Sequence, residues 1–238
     1  MQNEPKGGSR RWFLKSSLGT ASSVMLSTAS ITAPVKVVHA AAPEEPKYEP
    51  VYFHSDEWEF LHAAVDRLIP SNEDGPGALD LHVPEFIDRQ METDYGHGAR
   101  WYLQGPYFPE SDFSLGYQMK YNPRDLYRVG IAAVISWCQK QCGKTFAQLD
   151  ATEKDRVLTA LQKDQISLPN VRANEFFIQL LANTKEGYFA DPMYGGNRGM
   201  GAWKMIGFPG ARADFKDWVD QNGKAYPLPP VSIRGQKG

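Results

Sequence analysis

Apolar residues recur at helical spacing in five stretches of the chain, and this pattern predicts five helices. Pro70 stops the first helix, while Asn122 and Pro123 supply a cap and a first-turn proline to the third. Asp150 and Glu153 have the spacing of a capping box at the start of the fourth. The predicted helices cover residues 55–69, 83–91, 123–142, 150–161 and a stretch that follows Asn174.

A short sixth helix is predicted between Ala213 and Gln221, and no alternating run of β-branched residues is long enough to predict a sheet. The expected fold class is therefore mainly α. It is an irregular helical domain of about five or six helices, with long aromatic and glycine-rich loops. Prolines in residues 226–231 predict an extended C-terminal tail. We expect one domain over residues 55–238, preceded by a proline-containing linker over residues 43–54.

Residues 1–42 have the features of a targeting signal. Arg10 and Arg11 are followed by Phe13 and Leu14, which is the pattern of a twin-arginine signal, and small residues near position 40 offer a cleavage site. An uncleaved anchor and an ordinary basic tail are the alternatives. The twin-arginine route carries folded proteins, often with a cofactor inserted. A signal of this kind on a chain without a cofactor motif suggests that it also serves a partner.

The charge is unevenly distributed along the chain. Residues 1–40 carry a net charge of +4, and since the whole chain carries −2, the remainder carries −6. A mildly acidic body argues against nucleic acid as the main partner, because phosphate binding needs a basic face. No stretch of about 18 uncharged apolar residues follows position 40, so no transmembrane helix is expected in the exported protein.

The sequence contains no nucleophile elbow, P-loop or dinucleotide-binding fingerprint. Residues 194–199 are rich in glycine, but no predicted strand precedes them and no predicted helix follows, so they are not interpreted as a phosphate cradle. No catalytic, cofactor-binding or metal-binding residue is therefore predicted in this chain. Four histidines follow the signal without metal-ligand spacing and are interpreted as structural: His54, His62, His82 and His97.

Cys138 and Cys142 lie one helical turn apart on the third predicted helix. Without paired histidines they make a poor zinc site, and they are not part of a haem-attachment motif. Export to an oxidising compartment favours a disulfide between them, although an i,i+4 disulfide is geometrically strained. Two buried thiols, or a bond from one of them to a partner chain, are the alternatives.

Two segments combine aromatic residues and glycines without helical spacing: the aromatic loop, residues 94–121, and the glycine motif, residues 187–211. An isolated loop as apolar as the glycine motif must pack against its own helices or against a partner. Its residue types are those enriched in interface cores, although a loop that completes the core of the monomer is the alternative. The predicted partner-contacting residues are Trp101, Tyr107, Tyr188, Phe189, Asp191, Pro192, Tyr194, Gly195, Gly196, Asn197, Arg198, Trp203 and Phe208.

The glycine motif, which reads GYFADPMYGGNRGMGAWKMIGFPGA, resembles the signature of the small subunit, or subunit 3, of gluconate 2-dehydrogenase. Similar segments occur at residues 76–78, 101–107, 116–118 and 123–127, so the resemblance covers most of residues 55–215. It implies a complex in which a glucose-methanol-choline-type subunit holds FAD and oxidises a sugar or sugar acid. A multihaem cytochrome c subunit would pass the electrons on to quinone.

In that complex the small subunit assists folding and export of the flavin subunit and has no catalytic site. The resemblance therefore implies a periplasmic protein that meets the inner membrane only through its complex. A stand-alone periplasmic module for redox chemistry or small-ligand binding is the alternative function. Either module would need a bound cofactor or ligand in the isolated chain.

Overall fold

The computed structural model describes residues 48–238. The predicted twin-arginine signal, including Arg10, Arg11, Phe13 and Leu14, lies outside the described residues, as does the part of the predicted linker before residue 48. Among residues 48–238 there are six α-helices and several short 3-10 turns, and only isolated β-bridges in place of a sheet. The prediction of a mainly α fold is confirmed. The helices are α1 Ser55–Leu68, α2 Val83–Met91, α3 Pro123–Cys142, α4 Ala151–Gln162, α5 Ala173–Phe189 and α6 Gly201–Ile206.

Helix α5 is the centre of the fold, because α1, α2, α3 and α4 all pack against it. Phe176 of α5 is fully buried and contacts Phe60 of α1 and Tyr127 of α3 at ring-centroid distances of 6.0 and 6.1 Å. Gly130 lets α3 approach closely, since a Cβ there would lie 2.2 Å from the Phe176 ring. The largest buried side chains thus come from several helices and form one continuous core.

The ends of α3 follow the sequence prediction. The Asn122 side chain accepts a hydrogen bond from the Asp125 backbone N–H at 2.8 Å, and Pro123 occupies the first helical position. Gly143 ends the helix in the left-handed conformation at φ 68°. The predicted capping box of Asp150 and Glu153 is also present at the start of α4. Local capping chemistry was sufficient to locate these boundaries.

The predicted sixth helix over Ala213–Gln221 is wrong, because the structure has only a 3-10 turn there, Lys216–Trp218. The Asp214 side chain accepts a hydrogen bond from the Lys216 N–H at 3.2 Å, and the segment is mostly exposed, so it has no core face that would sustain a helix. The sixth helix is instead α6, inside the glycine motif, and it ends at Gly207 with φ 70°.

Residues 48–54, which were predicted as linker, are packed against the domain. Asp88 of α2 is fully buried, and its carboxylate accepts hydrogen bonds from the Tyr48 hydroxyl and from the backbone N–H groups of Val51, Tyr52 and Phe53, at 2.7–3.0 Å. A buried carboxylate without these donors would be costly, so the four bonds hold the segment in place. The packed domain thus includes residues 48–54 as well as residues from 55 onward. Within the described residues, no helix combines the length and apolarity needed to cross a membrane.

Candidate docking surface

The glycine motif has an inner side that belongs to the core of the chain. Trp203 of α6 is only 6% exposed, and its indole N–H donates to the Phe189 carbonyl at 2.9 Å. The Tyr188 hydroxyl donates to the Pro76 carbonyl at 2.7 Å, which joins the motif to the loop before α2. Burial raises the pKa of Tyr188 above its usual value. These two large side chains therefore stabilise the monomer.

Asn197 holds the motif closed. It is fully buried and has φ 45°, a left-handed conformation that asparagine tolerates better than most residues. Its side-chain amide donates to the Ala190 carbonyl at 3.0 Å, and its side-chain oxygen accepts from the Ala202 N–H at 3.0 Å. Asn197 thus links the chain just after α5 to the first turn of α6, and so closes the loop between them.

Asp191 connects the motif to the C-terminal tail, residues 226–238. One carboxylate oxygen accepts from the Met193 N–H at 3.0 Å, and the other accepts from the Ile233 N–H at 2.7 Å. Val231 also bonds to the end of the motif, donating to the Pro209 carbonyl and accepting from the Ala211 N–H. The tail therefore lies along the motif and is not a free end.

The outer side of the motif exposes large apolar side chains. Phe208 stacks edgewise on Trp203 at 5.1 Å between ring centroids, and it lines a groove of about 360 Å³ between α6 and residues 226–230 of the tail. The other exposed large side chains of the motif are Phe189, Tyr194, Met205 and Ile206. Such clustering of exposed apolar groups is typical of a surface that contacts another protein.

The aromatic loop is exposed over most of its length. Tyr102 is 84% exposed, Phe108 57% and Leu115 65%. Trp101 is half-buried and packs edgewise on Tyr117 at 5.0 Å between ring centroids. The Tyr117 hydroxyl donates to the Tyr121 carbonyl, and burial raises its pKa well above the usual value. One aromatic pair therefore anchors the base of the loop while the other rings face solvent.

A cleft of about 520 Å³ joins the two segments, with Trp101 of the aromatic loop and Tyr194 of the motif both in its lining. Tyr95, also in the lining, has its hydroxyl held by the side-chain amides of Gln179 and Asn183 at 2.5 and 2.7 Å. The two segments that were predicted to contact a partner are therefore neighbours, and a buried amide network of α5 supports the cleft between them.

A family model described as gluconate 2-dehydrogenase subunit 3 matches residues 55–210, more than half of the chain. The chain belongs to the gluconate 2-dehydrogenase subunit 3 family. No curated protein and no solved structure matches it. Membership identifies the chain as a subunit of a dehydrogenase complex. The matched range contains α1 to α6, the aromatic loop and nearly all of the glycine motif.

The structure divides the predicted partner-contacting residues of this subunit 3 chain into two groups. Those placed in the chain's own core cannot offer side chains to a partner, and for them the self-covering alternative applies: Tyr188, Asp191, Gly196, Asn197 and Trp203. Their burial follows from tertiary packing and from bonds such as those of Tyr188 to Pro76 and of Asp191 to Ile233, which a linear pattern does not reveal. Those that remain exposed or half-buried are Trp101, Tyr107, Phe189, Pro192, Tyr194, Gly195, Arg198 and Phe208.

Sequence reasoning missed several exposed apolar residues of this surface. Met205 and Ile206 were overlooked because α6 was not predicted; both are exposed in the last turn of this short helix. Tyr102, Phe108 and Leu115 were not singled out, although their loop was. Their aromatic or aliphatic character in a segment without helical spacing is the signal that could have found them.

The two cysteines of this subunit 3 chain are free thiols in the structure, with Cys138 buried and Cys142 half-buried. Burial raises the pKa of Cys138 to about 12. A thiol with such a pKa stays protonated near neutral pH and reacts slowly. The predicted disulfide is not formed here, and of the alternatives the buried-thiol arrangement describes Cys138.

The histidines of the domain contact neighbouring side chains. His82 lies 2.8 Å from the Arg198 guanidinium and 3.4 Å from Glu85, and His97 lies 2.7 Å from Arg124. Burial lowers the pKa of His62. Over residues 48–238 no group of three or more His, Cys, Asp or Glu side chains is arranged to hold a metal ion.

Proposed function

We propose that this chain is the non-catalytic small subunit of a periplasmic, FAD-dependent dehydrogenase that acts on gluconate or a related sugar. It would dock on a glucose-methanol-choline-type flavin subunit through the outer side of the glycine motif and the aromatic loop. One observation carries the proposal: in this member of the family, two segments that share a cleft both expose large apolar side chains. The cofactors, FAD and in some complexes haem c, would belong to the partner subunits.

The exposed side chains are suited to supply the binding energy. Burying apolar surface contributes about 25 cal/mol per Å², and a stable interface buries about 1,200–2,000 Å² in total. Ordering of loops and the lost freedom of two molecules subtract heavily from that gain. The buried anchors Asn197 and Trp203 reduce this cost, because they hold the motif in one conformation before the partner arrives.

The inner side of the motif supports this role by keeping the outer side in position. Phe208 rests on Trp203, and Phe189 supplies the carbonyl that accepts the Trp203 indole N–H. Phe208 and Phe189 thus each pack edgewise on a buried ring, that of Trp203 and that of Tyr188. An interface of this construction is expected to concentrate its affinity in a few aromatic residues.

Removing exposed rings tests the docking role. The variant is the double change Phe108→Ser, Phe208→Ser in the tagged chain. We expect at least tenfold less flavin subunit to co-purify with this variant than with the wild type from co-expressing cells. The matched control is Ile178→Ser, because Ile178 is 53% exposed on α5, outside both segments. Unchanged co-purification of the double variant, with a folded chain shown by circular dichroism, would contradict the proposal.

We further propose that the twin-arginine signal exports both chains as one folded unit. The support is the pattern at Arg10 and Arg11 together with a domain that would bind the flavin subunit. Changing both arginines to lysine should keep the flavin subunit in the cytoplasm when the two chains are co-expressed. If the flavin subunit reaches the periplasm in its normal amount, the escort role is wrong, although docking in the periplasm would stand.

A further inference from the structure

The middle of the aromatic loop lies over a second cleft of the chain. This cleft, of about 480 Å³, is lined by Pro109, Glu110 and Met119 of the loop and by most of residues 164–173, which connect α4 to α5. Protein segments are fixed in place where side chains fill the space beneath them, and here part of that space is open. The position of the loop therefore depends on polar contacts as well as on packing.

Arg172, the residue directly before α5, makes such a contact. Its Nη1 donates to the Ser111 carbonyl of the loop at 2.7 Å, and its Nε donates to the Asp164 carboxylate at 3.1 Å. The guanidinium is a rigid planar fork, so a bond at one nitrogen sets the direction of the others. The Arg172 and Asp164 side chains are only 22% and 30% exposed, which partly shields the ion pair from water.

Asp164 connects this contact to the centre of the fold. Its other carboxylate oxygen accepts from the Asn174 N–H in the first turn of α5 at 3.3 Å. Its backbone has φ 54°, a left-handed conformation that aspartate tolerates better than most residues. The Ser111 carbonyl is thus joined through Arg172 and Asp164 to α5, against which four other helices pack.

Ser111 lies between two exposed apolar residues of the loop. Phe108 and Leu115 are 57% and 65% exposed. The Ser111 N–H donates to the Phe108 carbonyl at 2.9 Å, and the Leu115 N–H donates to the Asp112 carbonyl at 3.1 Å. Both apolar residues are therefore bonded to the short segment that Arg172 holds, and fixing Ser111 helps to fix where their side chains stand on the surface.

We propose that Arg172 is a positioning residue, which holds the middle of the aromatic loop in the conformation that the flavin subunit binds. This inference rests on the proposed docking role. A loop that is ordered before binding loses less conformational entropy on association, so the complex is more stable. Asp164 acts one step further away, by orienting the guanidinium. A purely structural ion pair would instead stabilise the turn before α5 and leave the loop unchanged.

The test is the variant Arg172→Gln, which lacks the charge and the forked donor group. Limited chymotrypsin digestion of the isolated chain, followed by mass spectrometry, measures cleavage after Phe108. We expect this cleavage to be at least about threefold faster than in the wild type. From co-expressing cells, at least about threefold less flavin subunit should co-purify with the variant. Arg172→Lys, which keeps the charge but not the fork, should lie between the wild type and Arg172→Gln in both measurements.

The matched control is Arg67→Gln. Arg67 of α1 forms a comparable ion pair, with its Nε 2.7 Å from the Asp155 carboxylate, but this pair joins α1 to α4 rather than the loop to α5. Both measurements should stay at their wild-type values in this control.

A second variant, Asp164→Asn, removes only a charge. Asparagine also tolerates φ 54° and keeps an oxygen for the Asn174 N–H. We expect both measurements to change in the same direction as in Arg172→Gln, by a smaller factor. Combining the two changes should be no worse than Arg172→Gln alone, because both side chains act through one contact. Asp164→Asn carries the test if circular dichroism shows Arg172→Gln to be unfolded.

The inference is overturned if cleavage after Phe108 is unchanged in the folded variant, or if Arg67→Gln accelerates it equally, because Arg172 then does not hold the loop. Faster cleavage with unchanged co-purification also overturns it, since the flavin subunit would not need this conformation. In each case the docking role stands, provided that the double variant Phe108→Ser, Phe208→Ser still reduces co-purification. If that double variant has no effect either, the docking role is wrong as well.

Discussion

The glycine motif and the aromatic loop have similar compositions but are used differently. Both combine large aromatic residues with glycines and lack long helices, yet the motif places Trp203 at 6% exposure while the loop leaves Tyr102 at 84%. The difference lies in the anchors. The motif has buried polar side chains that hold its backbone, Asn197 within the motif and Asp191 to the C-terminal tail, whereas the loop is anchored through Trp101 and Tyr117 at its base. Composition shows that a segment is apolar, and its polar anchors decide which side of it is buried.

The largest effect is expected from Trp203→Ala. Removing a buried indole that packs on Phe208 and donates to the Phe189 carbonyl should lower the free energy of unfolding by about 3–5 kcal/mol. Urea unfolding followed by circular dichroism measures it. The matched change in the loop, Tyr102→Ala, should alter the same quantity by no more than about 0.5 kcal/mol. Equal losses in the two variants would show that both segments are part of the core.

The amide anchor should come next. In Asn197→Gly the new residue tolerates φ 45°, but both side-chain hydrogen bonds of Asn197 are lost. We therefore expect the free energy of unfolding to fall by about 2 kcal/mol. Gln104→Gly removes an exposed amide from the aromatic loop and should cost less than about 1 kcal/mol. If Asn197→Gly lowers the free energy of unfolding by no more than Gln104→Gly does, Asn197 does not anchor the glycine motif, and the proposed difference from the aromatic loop is wrong.

A single hydroxyl sharpens the comparison further. Tyr188→Phe deletes the donor to the Pro76 carbonyl and should cost about 1 kcal/mol in thermal or urea unfolding. Tyr107→Phe deletes an exposed hydroxyl that donates to the Leu103 carbonyl in the loop, where water can replace the bond, and should cost about 0.5 kcal/mol or less. A larger loss of stability for Tyr107→Phe than for Tyr188→Phe would mean that the hydrogen bond in the loop is the one better shielded from water.

The smallest effect concerns alkaline pH. Burial raises the pKa of both Tyr188 and Tyr117, so the unfolded chain releases these protons before the folded chain does. The free energy of unfolding should therefore fall as pH rises above about 10, and Tyr188→Phe and Tyr117→Phe should each reduce that slope. Urea unfolding at about pH 9 and about pH 11 provides the measurement. If the dependence of the free energy of unfolding on pH is unchanged in either variant, that tyrosine has the same pKa in the folded and the unfolded chain.

Much of the helical scaffold could be predicted from the sequence, because its boundaries depend on local chemistry. Asn122, Pro123 and Gly143 determine the ends of α3 through their own backbone preferences and side-chain bonds. Between residues 201 and 221 the sequence missed one helix, α6, and predicted another, over Ala213–Gln221, that the structure does not contain. A short helix depends on tertiary packing more than on helix propensity. Helix α6 is stabilised by packing because its Trp203 side chain is buried.

The sequence by itself determined that the chain is mainly helical, that it carries a family motif, and that two segments have apolar residues to cover. Only the tertiary structure decided which side of each segment is covered from within. Asn197, Asp191 and Tyr188 are bonded to Ala202, Ile233 and Pro76, and partners such as Pro76 lie far away in the sequence. Folding brings such groups together through the shared core, so their pairing follows from packing in three dimensions and not from any local pattern.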